Sequence, residues 1–495
     1  MTGNPMQKTL LSIALFSLWL APLSAIGADR LLIRDARIVD VVTGSVGGAQ
    51  DVLVEDGRVA AIGDVDAGDA DSIDGDGLYL VPGLIDGHVH LDGVPGMDWE
   101  QSAAHPELVA EARRQIPRAW LYHGFTTLVD LNSNAERLAA WNAEAIAPTA
   151  FHCGAAPVMD GYPTRFLPEA IRYRISPWFL VDPDAGRPVP DGIDPAEHTP
   201  AAVAQAIADD GAICIKTHWE DGFGARNDWP VPSDDLLRAL VEAGKAHGLP
   251  VLVHANSLPA QAAGARSGVG ALVHGLWAWE DVEGTTPTGA VLDTLKVLAE
   301  KGIPVQPTVQ VLYGERDLLD PHYLKRPTMA AVLPQSLLDW YAGDGGQALG
   351  QRLRSYPGFA DKIDNEGWQA PFEPGIARVV AATRWLNENG GVLLFGSDTP
   401  SDLTYANPPG LNARMEMDHW IEAGVTPARL LRAMTHDNAE FYGFDDLGTI
   451  APGKQADLLL LGADPTQDVT AWDRIEWVIL DGIPLARGSL AARRR

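Results

Sequence analysis

The chain has 495 residues, 46% of them hydrophobic and 21% charged, with 15 tryptophans; that apolar fraction is ordinary for packed globular protein and too high for a mostly disordered chain. Asp and Glu number 66 against 37 Lys and Arg, a net charge of −29, and so acidic a surface repels phosphate backbones and anionic lipid heads. Nucleic-acid and peripheral-membrane binding are therefore disfavoured, and small-molecule chemistry is the better reading.

Taken in chain order, the first feature is Lys8 followed by the apolar run Leu10 to Leu20, then Pro22 and the small residues Ser24 to Ala28. This pattern reads as a secretory signal peptide over residues 1–28, cut near residue 27 or 28, which makes the mature protein periplasmic or secreted with no stable membrane insertion after cleavage. An uncleaved anchor is the competing reading, but the run falls short of the roughly 20 residues that span a bilayer. Two cysteines, Cys153 and Cys214, are too few for a disulfide-built fold; both read as buried in strands, with one bridge possible.

Residues 29–80 alternate short β-type runs with glycine turns, and residues 448–495 have the same texture, so the two ends predict one small β-sandwich domain assembled from both termini. Residues 81–447 differ in kind. Eight apolar runs of strand type, at 83–90, 126–131, 149–154, 212–218, 250–255, 271–276, 304–309 and 392–398, are mostly separated by helical patterns. Ser233, for example, can cap a helix whose Leu236, Leu237, Leu240 and Val241 share a face and which stops at Gly248. Eight alternations predict an α/β fold, a (β/α)8 TIM-like barrel, although a doubly wound sheet reads alike from periodicity alone. The stretches 181–200 and 313–375 read as long surface loops.

The polar residues decide between the two folds. His88 and His90, two apart at the end of the first run, point to the same side of a strand and can reach one metal ion; alone, such a pair is a weak signal. His254, His274 and Asp398 each close a further apolar run, at the rim where barrel enzymes place their active sites. Packing does not explain four histidines and an aspartate at the ends of four separate strands, whereas a closed barrel brings them to one metal site. Lys216, inside the run 212–218, completes the set. A buried ammonium beside dications is repelled, so Lys216 must be neutral, modified or turned away.

The set HVH (88–90), strand Lys216, His254, His274 and GSD (396–398), with VPGLIDGHVHL, GFTTLVD and GTIAPGKQADLLLL around it, resembles the amidohydrolase superfamily, most closely its imidazolonepropionase-like and Xaa-Pro dipeptidase (prolidase)-like branch. The resemblance implies two divalent metal ions, usually Zn2+, bridged by a lysine carboxylated on its amine, here Lys216. It assigns His88, His90 and Asp398 to one metal and His254 and His274 to the other. It also implies a catalytic role for Asp398, which accepts a proton from metal-activated hydroxide and passes it to the departing nitrogen.

Substrate contacts are harder to read. His218 shares the inward face of Lys216. Peptidase-like relatives often carry a tyrosine two residues after the fifth-strand histidine, where this chain has Asn256; Tyr313 and Arg316 after the seventh strand, and Arg165 after the third, are candidates for a substitute phenol and guanidinium. The expected activity is hydrolysis of an amide-type C–N bond in a small-molecule amide or peptide, with a dipeptide or N-acyl amino acid preferred. The alternatives are opening of a cyclic amide, deamination of a heterocycle, or a non-catalytic binding protein of the same fold. The sequence leaves the native metal and the oligomeric state open, a homo-oligomer included.

Overall fold

Period-two burial explains how the two ends of the chain meet. In the computed structural model, which describes residues 30–223, 227–356, 358–401 and 404–492, one eight-stranded sheet is built from both termini. The signal-peptide reading of residues 1–28 lies outside the described residues. Strand Leu458–Leu461 pairs antiparallel with Tyr79–Pro82, which in turn pairs with Arg30–Asp40, so the C-terminal hairpin Ile475–Leu480 and Ile483–Ala486 extends the N-terminal sheet. All four leucines of Leu458–Leu461 are buried. Leu458 and Leu460 join Leu31, Ile33, Val52, Val54 and Ile479 in the sheet's own core, whereas Leu459 and Leu461 face the core shared with the barrel. Successive side chains point to opposite faces, so an uninterrupted leucine run belongs to a strand covered on both sides.

The middle of the chain forms seven parallel strands in sequential order: Leu84–Val89, Phe125–Asp130, Thr149–Ala155, Cys214–His218, Val251–His254, Ala271–Val273 and Val305–Gln306. Residues 392–399 close the ring. On one side the Val305 amide donates to the Val392 carbonyl at 3.0 Å and Leu394 donates to Val305 at 3.1 Å; on the other, Gly87 donates to Phe395 at 3.1 Å, Asp398 to His88 at 2.7 Å and His90 to Thr399 at 2.7 Å. A doubly wound sheet has two open edges, so this closure establishes the barrel. Cys153 and Cys214 stand opposite each other in the register of the third and fourth strands and are joined by a disulfide.

The helix Asp234–Ala246 follows from its sequence. Ser233 accepts a hydrogen bond from the Leu236 amide, two aspartates occupy the first turn and Lys245 the last, and Leu236, Leu237, Leu240 and Val241 are buried; the charges suit the helix dipole at each end. The stretch 313–375 corrects the expectation of a surface loop. It folds into short helices, among them Pro327–Val332, Gln335–Ala342, Asp344–Arg354 and Phe359–Glu366, and buries Tyr323, Met329, Leu337 and Tyr341. These helices have 6 to 11 residues, too few turns for a clear apolar period, and the Pro and Gly that begin and end them imitate loop composition. Residues 181–199 contain the 3-10 turns Pro183–Ala185 and Pro195–His198, and the helix Pro200–Asp209 follows.

Candidate metal centre

Two glycines let the first and eighth strands approach closely enough to build one half of the site. A Cβ on Gly396 would lie 2.7 Å from the His88 Cβ, and one on Gly87 would lie 2.9 Å from the Phe395 carbonyl; neither distance is tolerable for a side chain, which accounts for glycine beside both motifs. With the strands this close, Asp398 Oδ1 lies 3.0 Å from His88 Nε2 and 3.1 Å from His90 Nε2. His274 joins from the sixth strand, its ring centroid 5.4 Å from that of His88 and its Nδ1 3.9 Å from Asp398 Oδ2. One donor atom from each of His88, His274 and Asp398 falls within 4.8 Å of the others. His254 completes the ring of imidazoles, 4.4 Å from His274 between centroids.

The strand ends carry backbone strain. His274, Thr308 and Asp398 have φ of 80°, 46° and 56°, in the left-handed region that costs a non-glycine residue of order 1 kcal/mol or more and collects at functional sites. Interactions around them hold the conformation. Thr308 Oγ1 pairs with His274 Nδ1 at 2.8 Å. Asn412 donates to the Ser397 carbonyl at 2.8 Å and to Thr399 Oγ1 at 2.6 Å, on either side of Asp398. Asp86 accepts from the amides of His88 and Ser397, tying the first strand to the eighth.

Burial sets the charge states. It lowers His88 to about 3 and puts His218 and His274 well below the usual imidazole range, leaving the neutral form that binds metals. Partial burial also disfavours charged His90, but the hydrogen bonds with Asp130 and Asp398 outweigh it and lift the imidazole to about 9; a cation between His90 and Asp398 would replace that proton. Burial raises Asp398, yet His88, His90 and His274 more than offset this and hold it well below the carboxylate range. Lys216, 2% exposed, is lowered to about 7 by burial against the opposing pull of Asp398. Burial thus favours the uncharged amine, which lessens the conflict of a buried ammonium at a cation site. His88 Nδ1 and His218 Nδ1 are buried without a hydrogen-bond partner. Four imidazoles, a carboxylate and a buried amine whose neutral form is favoured fit divalent cations.

The substrate candidates separate into two groups. His218 and Asn256 are buried at the centre: the His218 ring lies 5.9 Å from that of His254, and Asn256 Nδ2 lies 3.2 Å from His254 Nε2. Arg165 lies at the mouth, over the Trp229 ring at 5.0 Å. Tyr313 and Arg316 have partners elsewhere. Tyr313 donates to Glu422 at 2.9 Å and stacks on His419, and Arg316 pairs with Asp317 at 2.7 Å.

Glu220 escaped the sequence reading. It is 5% exposed, and its Oε2 lies 3.2 Å from His254 Nε2 while accepting from Asn256 Nδ2 at 2.9 Å. A carboxylate on one ring nitrogen keeps the proton there and leaves the other nitrogen, Nδ1, for a metal. Asp130 stands in the same relation to His90, its Oδ1 3.7 Å from Nδ1. The available signal was spacing: 216, 218 and 220 continue one alternation past the strand end.

Fold and site together define a closed α/β barrel with a cluster of candidate metal ligands at one mouth. The amidohydrolase family model matches residues 79–483, most of the sequence, and the chain belongs to that family. Among curated relatives, a dihydroorotase of Syntrophotalea carbinolica is 42% identical over 73 residues, 14% of this chain and 17% of the relative. The chain spans about a fifth or less of the length of the curated relatives it matches. Similar solved structures include a Xaa-Pro dipeptidase with bound methionine (20% identity, TM-score 0.61, 92% of this chain and 100% of that one) and a prolidase complexed with N-methylphosphonate-L-proline (22%, 0.62, 92% and 99%). These likenesses show the fold.

Proposed function

We propose that the chain is an exported amidohydrolase with two divalent metals, most plainly Zn2+, that cleaves the amide bond of a dipeptide or N-acyl amino acid. The observation that carries this reading is Lys216, buried at the strand end beside the rim histidines and Asp398. An uncharged amine adds to carbon dioxide, forming an N–C bond and releasing one proton to water, and the resulting carbamate is an anion able to bridge cations. His88, His90 and Asp398 would hold one metal, His254 and His274 the other, and carboxylated Lys216 both. Such a pair supplies Lewis acidity and hydroxide at neutral pH.

The protein's own groups do the rest. Asp398 stays ionised, and its Oδ2, the oxygen that His88 and His90 leave clear, takes the proton from the attacking water and returns it to the nitrogen that departs, leaving a carboxylic acid and an amine. Glu220 and Asp130 hold the rings of His254 and His90. His218 and Asn256 face the substrate. The methionine and the phosphonate-proline ligand of the two structural neighbours support an amino acid on one side of the bond. The short matches to dihydroorotases favour a cyclic amide as the second reading.

Export draws support from the Cys153–Cys214 disulfide, which suits an oxidising compartment. No helix among the described residues is long and apolar enough to cross a membrane. N-terminal sequencing of the mature protein should begin near residue 28; an intact Met1 on a cytoplasmic chain contradicts export. Screening zinc-loaded protein against dipeptides, N-acyl amino acids and small lactams tests the activity, and turnover confined to lactams transfers the assignment to the second reading.

A further inference from the structure

The mouth of the barrel carries an aromatic wall that the reaction chemistry does not require. Tyr162 and Phe166 come from the loop after the third strand, Phe223 and Trp229 from the loop after the fourth. Their rings meet edge to face or stacked: Phe166 lies 5.4 Å from Trp229, Phe223 lies 5.2 Å from Trp229, and Tyr162 lies 5.6 Å from Phe223 and 5.9 Å from Phe166. Trp229 is buried beneath the others, while Phe166 is 63% and Phe223 46% exposed. Large aromatic surface left in water on a loop costs solubility and contributes little to the fold, so two such rings on one cluster call for an occupant.

The wall is continuous with the metal centre. The Tyr162 ring lies 4.9 Å from that of His254 and 5.5 Å from that of His218. The His218 Nδ1, buried and without a partner, offers a hydrogen bond beside it. A group bound to the wall is thus one residue or less from the reacting carbonyl. The surrounding charge narrows the choice further. Glu220, buried and 3.2 Å from His254 Nε2, already places an acid at the inner end of the wall, so an acidic side group is disfavoured there.

We infer that Tyr162, Phe166, Phe223 and Trp229 form a specificity subsite for an aromatic or large apolar side group carried next to the scissile amide. This rests on the proposed amide hydrolysis for its biological meaning, but the subsite itself is testable by binding alone. Aromatic rings recognise such a group by area and by ring-on-ring geometry, which small side chains cannot match.

The test compares 3-phenylpropionate with propionate, neither of which has an amide to cleave, by calorimetric titration of the metal-loaded full-length protein. Phenylpropionate should bind at least about tenfold more tightly, the minimum expected from burying one ring. The double variant Phe166→Ala, Phe223→Ala, whose truncated side chains are largely in solvent, should reduce that ratio below about threefold with propionate unchanged. A ratio near one in the wild type, or a ratio that survives the double variant, overturns the subsite. Turnover of Gly-Phe, Phe-Gly and Gly-Gly is read separately: a ring preference in binding with no hydrolysis of any amide leaves the subsite standing and overturns the proposed reaction. Hydrolysis of all three with no ring preference in binding does the reverse.

Discussion

The terminal sheet and the barrel rim bury their strands in opposite ways. Leu458–Leu461 is apolar on both faces and packs between two cores. The rim buries His88, Lys216, His218, Glu220, His254, His274 and Asp398 and places three strand-end residues at strained φ. Apolar burial stabilises by roughly 25 cal/mol per Å², whereas buried ionisable groups cost free energy unless paired. Function in this chain lies in the polar residues that end apolar runs, not in the runs themselves.

Substitutions should separate the two regions. The largest effect belongs to Asp398→Asn, whose amide cannot carry the shuttled proton; kcat/KM of the folded variant should fall about 10²–10⁴-fold. Full activity in this variant contradicts the shuttle. Leu460→Ala should do the converse, costing about 2–5 kcal/mol of stability in denaturant titration while kcat under folded conditions stays within a factor of about two, since it touches no rim residue.

A third substitution sharpens the comparison inside the rim. Glu220→Gln keeps the volume but loses the carboxylate on His254, and metal affinity in a chelator competition should weaken about 10–100-fold. Unchanged affinity would make Glu220 a substrate contact only.

A pH-dependent effect concerns the joint between the regions. Asp457, whose Oδ1 accepts from the Asp481 amide at 2.7 Å, is raised by burial to about 7. Its folded pKa exceeds the unfolded value, so the unfolded chain gives up its proton first and stability is lost as pH rises from about 4 to 7. Asp457→Asn removes that loss. The variant should gain on wild type across this window and hold a constant lead above it, in thermal melts at stepped pH; a lead independent of pH contradicts the assignment.

Much of this architecture could be read from the chain because each rim histidine closes an apolar run, and the run marks the strand. Even the eighth strand, which pairs through few regular hydrogen bonds, was visible as Val392 to Asp398. The helices of 313–375 were not legible, since tertiary packing of Tyr323, Leu337 and Tyr341 supplies what six to eleven residues of periodicity cannot. Glu220 was hidden for another reason: its two-residue spacing from His218 is a weak mark on one acid among 66 until the fold sets it against His254. Tyr313 and Arg316 were plausible from position alone, and their observed partners, Glu422 and Asp317, depend on neighbouring helices that the sequence does not place.

The central claim is a pair of cations joined through Lys216. Elemental analysis of full-length protein purified without chelator should return close to two equivalents of divalent metal per chain; one equivalent or none would rule the bridged pair out.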